Sequence, residues 1–164
     1  MAVLGQRFDA LENNTFEARI ARGLATERRF EEWLARRGFR VRHIPHQGHE
    51  PDLYTPEIDT RWQVKDGLRS AGYGTVIGEV ASIDYAMDLQ REGKNVAVVW
   101  EMPGGEWRGQ LPLELHIRGT INDDSRRHGS GTPGYKILKG NLIEPNEIVQ
   151  LIEAANARQL GLPW

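Results

Sequence analysis

Apolar residues recur at helical spacing near the start of the chain. In "TERRFEEWLARRGF", residues 26–39, Phe30, Trp33 and Leu34 fall on one stripe, Thr26 stands at the cap position, and a glycine follows as a stop. The pattern therefore predicts an amphipathic helix that buries this stripe.

Shorter hydrophobic patterns follow along the chain. Polarity alternates or turns strongly apolar in four stretches that we predict as strands, 39–44, 52–55, 60–66 and 95–102, and the last is apolar enough to be buried on both faces. A helical pattern over 76–93 separates the third strand from the fourth. Because a crossover helix between two strands implies parallel pairing, the order predicts an α/β fold with a mixed central β-sheet flanked by helices.

The last third of the chain is less regular. "LPLELHIRG", 111–119, is predicted as one more strand, and "HGSGTPG", 128–134, as a flexible loop. "PNEIVQLIEAANARQ", 145–159, predicts a helix whose buried stripe is Ile148, Leu151, Ile152 and Ala155. With no repeat and no long linker, we expect a single domain over 1–164.

Composition narrows the function classes. The chain has 164 residues, 39% hydrophobic and 27% charged, and no cysteine, which excludes disulfides, thiolate catalysis and cysteine-ligated zinc. Without an apolar run near 18 residues or a signal-peptide pattern, we expect a cytoplasmic protein with no membrane span. The net charge is −2, but the first 44 residues hold nine arginines against six acids, enough to meet a phosphate backbone or simply to solvate a helix.

The hairpin formed by the second and third strands gathers polar residues. Gln63 and Lys65 share one strand face because side chains alternate, while their apolar neighbours face the core. A turn centred at 58–59 predicts Asp52 opposite Lys65 and Tyr54 opposite Gln63. Asp52, Gln63 and Lys65 are thus expected on one surface.

That trio suits metal-assisted attack on a phosphodiester. Mg²⁺ prefers oxygen ligands, which Asp52, the Gln63 amide and the Val64 carbonyl can provide. The Lys65 ammonium would stabilise negative charge that develops on the phosphate. The alternative is an ordinary structural hairpin.

These residues carry a family resemblance. "PD" at 51–52 followed by "QVK" at 63–65 resembles the active-site motif of the PD-(D/E)XK nuclease superfamily, in the glutamine form seen in Mrr-type restriction nucleases. "ATERRFEEWLARRGFRVRH", 25–43, resembles the opening of archaeal Holliday-junction resolvases, in which a first-helix glutamate helps to bind metal. That position is Glu27 here.

The resemblance implies a restriction-endonuclease-like αβββαβ core over about 22–102, with 103–164 as a C-terminal strand and helix extension. It also implies a DNA endonuclease that uses Mg²⁺ or Mn²⁺, in a fold that often pairs as a homodimer. A junction-like substrate fits the resemblance, while linear, modified or single-stranded DNA stays open, as does the choice among repair, recombination, phage replication and restriction. "GYG" at 72–74 is too short to cradle a phosphate, so no nucleotide cofactor is expected.

Two assignments stay open. Resolvases have an acid where this chain has Gln63, so a relative that binds nucleic acid without cutting it is the alternative function. Glu31 lies one helical turn after Glu27, and Glu32 is its neighbour, so either could be the ligand instead.

Basic residues around the hairpin are candidate contacts to nucleic acid. The set comprises two helix arginines, two loop histidines and three residues of the segment 123–136: Arg22, Arg29, His46, His49, Arg126, Arg127 and Lys136. The alternatives are a solvated helix face, a polar loop or a zinc site made by His43, His46 and His49, and a mobile surface loop. Tyr73 and Trp107 are candidate exposed aromatics for a dimer contact or a base stack.

Overall fold

The computed structural model describes residues 15–45, 48–68, 74–122 and 133–161. Within these ranges the elements in chain order are α1 (Phe16–Arg36), β1 (Arg42–His43), β2 (Leu53–Thr55), β3 (Thr60–Asp66), β4 (Thr75–Glu79), α2 (Val80–Arg91), β5 (Asn95–Glu101), β6 (Trp107–Gln110), α3 (Pro112–Arg118), β7 (Thr120–Asn122), β8 (Gly134–Leu138) and α4 (Pro145–Gln159).

Helix α1 starts well before the predicted cap. The hydroxyl of Thr15 accepts a hydrogen bond from the Ala18 amide, which satisfies one free N–H of the first turn. Thr26 is instead buried inside the helix, where its hydroxyl donates to the Arg22 carbonyl at 2.8 Å. The predicted stop is correct, since the chain leaves the helix at Gly38 with φ of 86°.

A mixed five-stranded sheet in the order β1-β2-β3-β5-β6 forms the centre of the molecule. β3 and β5 pair in parallel, as the intervening helix α2 requires, and the other neighbours are antiparallel. α1 packs on β3, α2 on β5 and α4 beside β6. The expected mixed sheet flanked by helices is confirmed.

The β2–β3 hairpin has a different register from the predicted one. Tyr54 lies opposite Arg61, so Asp52 comes beside Gln63, and the predicted pairing of Asp52 with Lys65 is wrong. The reason is a tighter turn, with one short 3-10 segment and one left-handed residue between the paired strands. A shift of two residues preserves side-chain direction, so Asp52, Gln63 and Lys65 still share a face.

The structure also contains a second sheet, in the order β4-β8-β7. Two predictions about this part of the chain are wrong. Residues 75–79 form β4, so the helix expected from 76 begins only at Val80. Residues 112–118 form helix α3 and not a strand, with Pro112 in its first turn, where the missing N–H does no harm. Strand 39–44 also shrinks to the two residues of β1.

Hydrophobic cores cover both faces of the large sheet. One joins α1 and α4 to β3 and β5 through Phe30, Trp62, Val99 and Ile148. The other joins α2 and the small sheet to β5, and its members include Val76, Ile83, Val98, Trp100 and Ile137. β5 is thus buried on both faces, as its sequence predicts.

The side chains of Trp107 and Leu151 differ from prediction in how far they are exposed. Trp107 is only 6% exposed and its ring lies 4.8 Å from that of Phe30, so the expectation of an exposed aromatic there is wrong. Leu151, expected in the buried stripe of α4, is 48% exposed, whereas Ile148 and Ile152 are buried. Tyr73 lies outside the described residues.

No helix in the described ranges is both long enough and apolar enough to cross a membrane.

Candidate active site

Asp52 directly precedes β2, and hydrogen bonds hold both its backbone and its side chain. Its backbone N–H donates to the Trp62 carbonyl at 2.9 Å, and its carbonyl accepts from the Ile44 amide at 3.0 Å. Its carboxylate oxygen Oδ2 accepts from the Val64 amide at 2.7 Å and from Gln63 Nε2 at 3.2 Å. With 3% of its surface exposed, this carboxylate is held in one orientation by partners on β3.

Gln63 presents an amide oxygen that lacks a donor. The side chain is 5% exposed, its Nε2 is used by Asp52, and no group among the described residues donates to its Oε1. A buried acceptor without a partner is costly, and it often marks the place of a water or an ion. An amide oxygen beside a buried carboxylate suits a hard divalent cation, so these residues fit Mg²⁺ or Mn²⁺.

The backbone of Val64 lies against the same carboxylate, because its N–H points at Asp52. In an extended strand the N–H and carbonyl of one residue project to the same side, so the Val64 carbonyl also faces the β2 side of β3. The Val64 carbonyl, predicted as a third oxygen donor, therefore lies on the side of β3 that faces Asp52.

Lys65 follows Gln63 on the same face of β3 and is partly buried. Burial lowers the pKa of its ammonium, while the negative charges of Asp52 and Glu79 oppose that change. The ammonium therefore lies in the field of two carboxylates that come from different elements.

Glu79 is the residue that the sequence interpretation missed. It is the last residue of β4 and the residue that precedes α2, and it is partly buried. Inside a predicted helix it was one surface acid among several, whereas the end of a strand brings its charge to Lys65. The three successive β-branched residues Thr75, Val76 and Ile77 are the signal that could have indicated a strand ending at Glu79, although not its approach to Lys65.

Glu27 lies on α1 toward the same end of β3. Phe30 contacts Trp62, and Arg29, nearer the start of the helix, reaches Glu101 at the last pair of β3 and β5. α1 therefore runs antiparallel to β3, and the residues before Phe30 approach the end of the strand that carries Lys65. Glu27 is half-buried there.

The two alternative acids on α1 have other partners. The Glu31 carboxylate bonds His43 Nε2 at 2.8 Å, which ties α1 to β1. The charge of Glu32 acts on Arg29 and raises the pKa of that guanidinium, although the hydrogen bond from Arg29 to Glu101 is the larger cause. The preference for Glu27 over these two acids rests on its place in the resolvase-like motif.

Arg29 forms an ion pair with the sheet. Its Nε and one terminal nitrogen donate to the two oxygens of Glu101 at 2.5 and 2.8 Å, and the same terminal nitrogen donates to the Thr26 hydroxyl at 3.3 Å. The carboxylate is buried while 49% of the arginine side chain is exposed. The structure thus gives Arg29 a role in docking α1, beside the predicted contact to nucleic acid.

The remaining candidates are dispersed. Arg22 is half-buried on α1, His49 is exposed in the loop before β2, and Lys136 is exposed on β8 opposite Ile77. His46, Arg126 and Arg127 lie outside the described residues. Within the described ranges, no three His, Asp or Glu side chains form a group that could hold a metal, so Asp52, Glu27 and Glu79 do not meet at one point.

The comparisons with known proteins concern the fold. No family model and no curated protein matches the sequence. The structure of Hjc from Archaeoglobus fulgidus, a Holliday junction resolvase from an archaeal hyperthermophile, superposes with a TM-score of 0.55 at 14% identity, covering 79% of this chain and 96% of that one. D212, a nuclease from a fusselovirus, gives 0.46 at 14% identity over 93% and 92% of the two chains, a match too loose to carry an argument.

The expected resemblance to PD-(D/E)XK nucleases is confirmed at the level of the fold. It also extends beyond 22–102, since that segment is only half of the chain.

Proposed function

We propose that this protein is a metal-dependent DNA endonuclease that hydrolyses phosphodiester bonds. The proposal rests on a buried, oriented Asp52 carboxylate beside Gln63, two residues before Lys65. The Oε1 atom of Gln63 has no hydrogen-bond donor among the described residues. The likeness of the fold to an archaeal junction resolvase supports a nuclease.

The metal ligands proposed are Asp52, the amide oxygen of Gln63, the carbonyl of Val64 and, from α1, Glu27. Glu79 is a further candidate, since it could restore the negative charge that glutamine at 63 removes. When bound, Mg²⁺ or Mn²⁺ would supply an activated water and would neutralise charge on the phosphate.

Lys65 would act on the phosphate itself. Its ammonium lies on the face shared with Gln63 and would donate to a non-bridging oxygen as negative charge accumulates there. Because burial excludes water around this cation, its hydrogen bond to the phosphate would be stronger than one at the surface. Asp52, held by the Val64 amide, keeps its orientation without rearrangement.

The second candidate function is binding without cleavage. It is favoured by one observation, that Gln63 is neutral and already donates its amide N–H to Asp52. A protein of this kind would bind the same nucleic acid but show no stabilisation by divalent metal.

The test is cleavage of labelled four-way junction, linear duplex and single-stranded DNA with Mg²⁺ or Mn²⁺. Asp52→Ala and Lys65→Ala should each reduce cutting about 100-fold or more, and Glu79→Gln should reduce it if Glu79 is a ligand. Asp88→Ala and Lys94→Ala, exposed residues with ordinary ion pairs, serve as matched controls. DNA that is bound but left intact by the wild type would overturn the endonuclease and favour the binding protein.

The choice of substrate follows from the same experiment. We propose branched DNA, by analogy with the resolvase fold, and a homodimer that presents two sites to two strands. A preference for the four-way junction would place the protein in recombination or repair, while preference for linear duplex would favour restriction.

A further inference from the structure

The arginines of the described residues differ in whether a carboxylate lies beside them. Arg29, Arg40, Arg91, Arg108 and Arg118 each lie within ion-pair distance of a carboxylate. Within the described ranges, Arg42 on β1 and Arg61 on β3 have no such carboxylate, although both project from the sheet that carries the candidate site.

Strand register brings these two cations together. Arg42 pairs with Tyr54, and Tyr54 pairs with Arg61, so the three side chains form one row across β1, β2 and β3. Arg61 is two residues before Gln63 on the same strand, about 6.6 Å along it and on the same face. The row thus runs beside Asp52 and Gln63.

The row lines a cleft of about 320 Å³, whose walls are Arg42, His43, Ile44, Pro45, Tyr54 and Arg61. The Arg61 guanidinium lies 5.3 Å from the centre of the Tyr54 ring, which orients it by cation–π attraction. The Tyr54 hydroxyl donates to Asp59 at 2.7 Å, so the nearby acid is engaged by the tyrosine.

One terminal nitrogen of Arg61, Nη1, is buried and has no acceptor among the described residues. A guanidinium N–H that is shielded from water without an acceptor is costly, and a charged acceptor would relieve that cost. Two guanidinium groups with no carboxylate of the described residues within ion-pair distance favour an anion, and the planar fork of arginine suits phosphate oxygens.

We propose that the Arg42–Tyr54–Arg61 cleft binds a backbone phosphate of the nucleic acid next to the phosphate at the candidate site. The proposal deepens the proposed function and rests on it for the identity of the ligand. Contacts of this kind carry no sequence information, so the cleft fixes the position of the strand and not the choice of bases.

The experiment measures binding of labelled duplex and four-way junction DNA without divalent metal, so that no strand is cut. The variants are Arg42→Gln, Arg61→Gln and the double variant, with Arg61→Lys to keep the charge and Arg91→Gln as the control for an exposed, paired arginine. We expect the double variant to bind about tenfold more weakly or worse. For the double variant, the slope of log Kd against log salt concentration should also be smaller, by an amount that corresponds to about two fewer counterions released.

The readouts separate this inference from the proposed activity. Weaker binding with a smaller salt dependence upholds the cleft even if the wild type cuts nothing, whereas metal-dependent cutting with unchanged Kd and salt dependence overturns the cleft and keeps the nuclease. Absence of binding by the wild type overturns the inference. Because Arg61 is partly buried, thermal melting of each variant is recorded, and exposed Arg42→Gln alone decides the matter if Arg61→Gln does not fold.

Discussion

Gln63 stands where the resolvases whose motif the sequence resembles have an acid. Its Nε2 donates to Asp52 while its Oε1 has no donor among the described residues, so the amide gives the site an oxygen without a charge. A carboxylate there would meet Asp52 as a like charge, which is unfavourable until a cation separates the two.

The substitution Gln63→Glu should therefore make the free energy of unfolding depend on bound divalent metal. Without divalent ions we expect the free energy of unfolding to fall by about 1–2 kcal/mol, since a buried carboxylate replaces a neutral amide. Added Mg²⁺ should restore the loss, with apparent affinity about tenfold above that of the wild type. Thermal melting across a Mg²⁺ titration measures both effects.

Gln110→Glu is the matched control, because Gln110 is also a buried strand glutamine and donates to the Asn141 carbonyl away from the site. It should lose stability with no rescue by metal. Equal rescue of both variants would contradict a metal site at Gln63.

Lys65 should limit the stability of the fold. Burial lowers the pKa of its ammonium, with Asp52 and Glu79 only opposing the shift, so the folded protein disfavours this charge. Lys65→Met should raise the free energy of unfolding by about 1 kcal/mol while abolishing any activity. Urea denaturation measures the first effect.

The lowered pKa of Lys65 determines how the free energy of unfolding changes with pH. With its pKa lowered in the folded state, Lys65 loses its proton on folding in the window between the folded pKa and the ordinary value of 10.5. The unfolded chain holds more protons there, so wild-type stability rises with pH and the advantage of Lys65→Met narrows. If Lys65→Met is less stable than the wild type at neutral pH, the attraction of the two carboxylates outweighs the cost of burial. The control Lys94→Met, at an exposed position, should change the free energy of unfolding little.

Much of the candidate site was predictable from sequence at this scale. Alternation alone put Asp52, Gln63 and Lys65 on one face, and an even error in register left that face unchanged. Glu79 was not predictable in the same way, since its approach to Lys65 depends on where β4 lies in space and not on any nearby residue.

At the scale of elements, α1 is held to the sheet by a buried contact that its amphipathic pattern does not reveal. Two nitrogens of Arg29 meet both oxygens of Glu101 at the end of β5, 72 residues away in sequence. Only the carboxylate is fully buried, so removing the arginine would leave a buried charge without its partner.

Arg29→Ala should lower the free energy of unfolding by about 2 kcal/mol, a value reduced from that of a fully buried pair because the arginine is half exposed. In a double-mutant cycle with Glu101→Gln, the double variant should lose less than the sum of the single losses. The pair Arg91–Asp88 is exposed on α2 and provides the control cycle, with coupling of about 0.5 kcal/mol or less. Equal coupling in both cycles would contradict a docking role for Arg29.

The two mispredicted elements show why local pattern was insufficient. "VIGEV" has apolar residues that fit either a strand or the first turn of a helix, and pairing of β4 with β8 decides for the strand. "LPLELHIR" alternates like a strand, yet Pro112 starts a short helix whose Leu115 is buried with Ile83. In each case contacts with distant segments override the local preference.

For the whole molecule, the described residues after 102 complete the large sheet and its core, in the part of the chain where sequence patterns were least informative. β6 adds the last strand to the large sheet, and Ile148 of α4 enters the core that also contains Phe30 of α1. Gly109 lies at the junction, since a Cβ there would come within 2.5 Å of the Val98 carbonyl oxygen and 3.0 Å of Ile148. The site and the extension thus share one core.

Gly109→Ala should destabilise the protein by about 2 kcal/mol or more, because the added methyl group meets backbone that cannot move without disturbing β5. Gly140→Ala, where nothing lies within 4 Å of the new Cβ, should change the free energy of unfolding by no more than about 0.5 kcal/mol. Thermal melting compares the two. A neutral Gly109→Ala would show that α4 and β6 can separate from the sheet at little cost.

The two outer strands of the large sheet restrict how copies of the protein can meet. β1 is only two residues long and is followed closely by Pro45, which has no amide hydrogen to donate. At the opposite edge, Gly109 exchanges both backbone hydrogen bonds with Ile143, at 2.8 Å each. Among the residues that the structure describes, neither border offers a row of free amides for another chain to extend, so continuous growth of this sheet from molecule to molecule is blocked. A homodimer would therefore not form by pairing of these two borders, and crowding in solution should not convert the protein into strand-added fibres by this route.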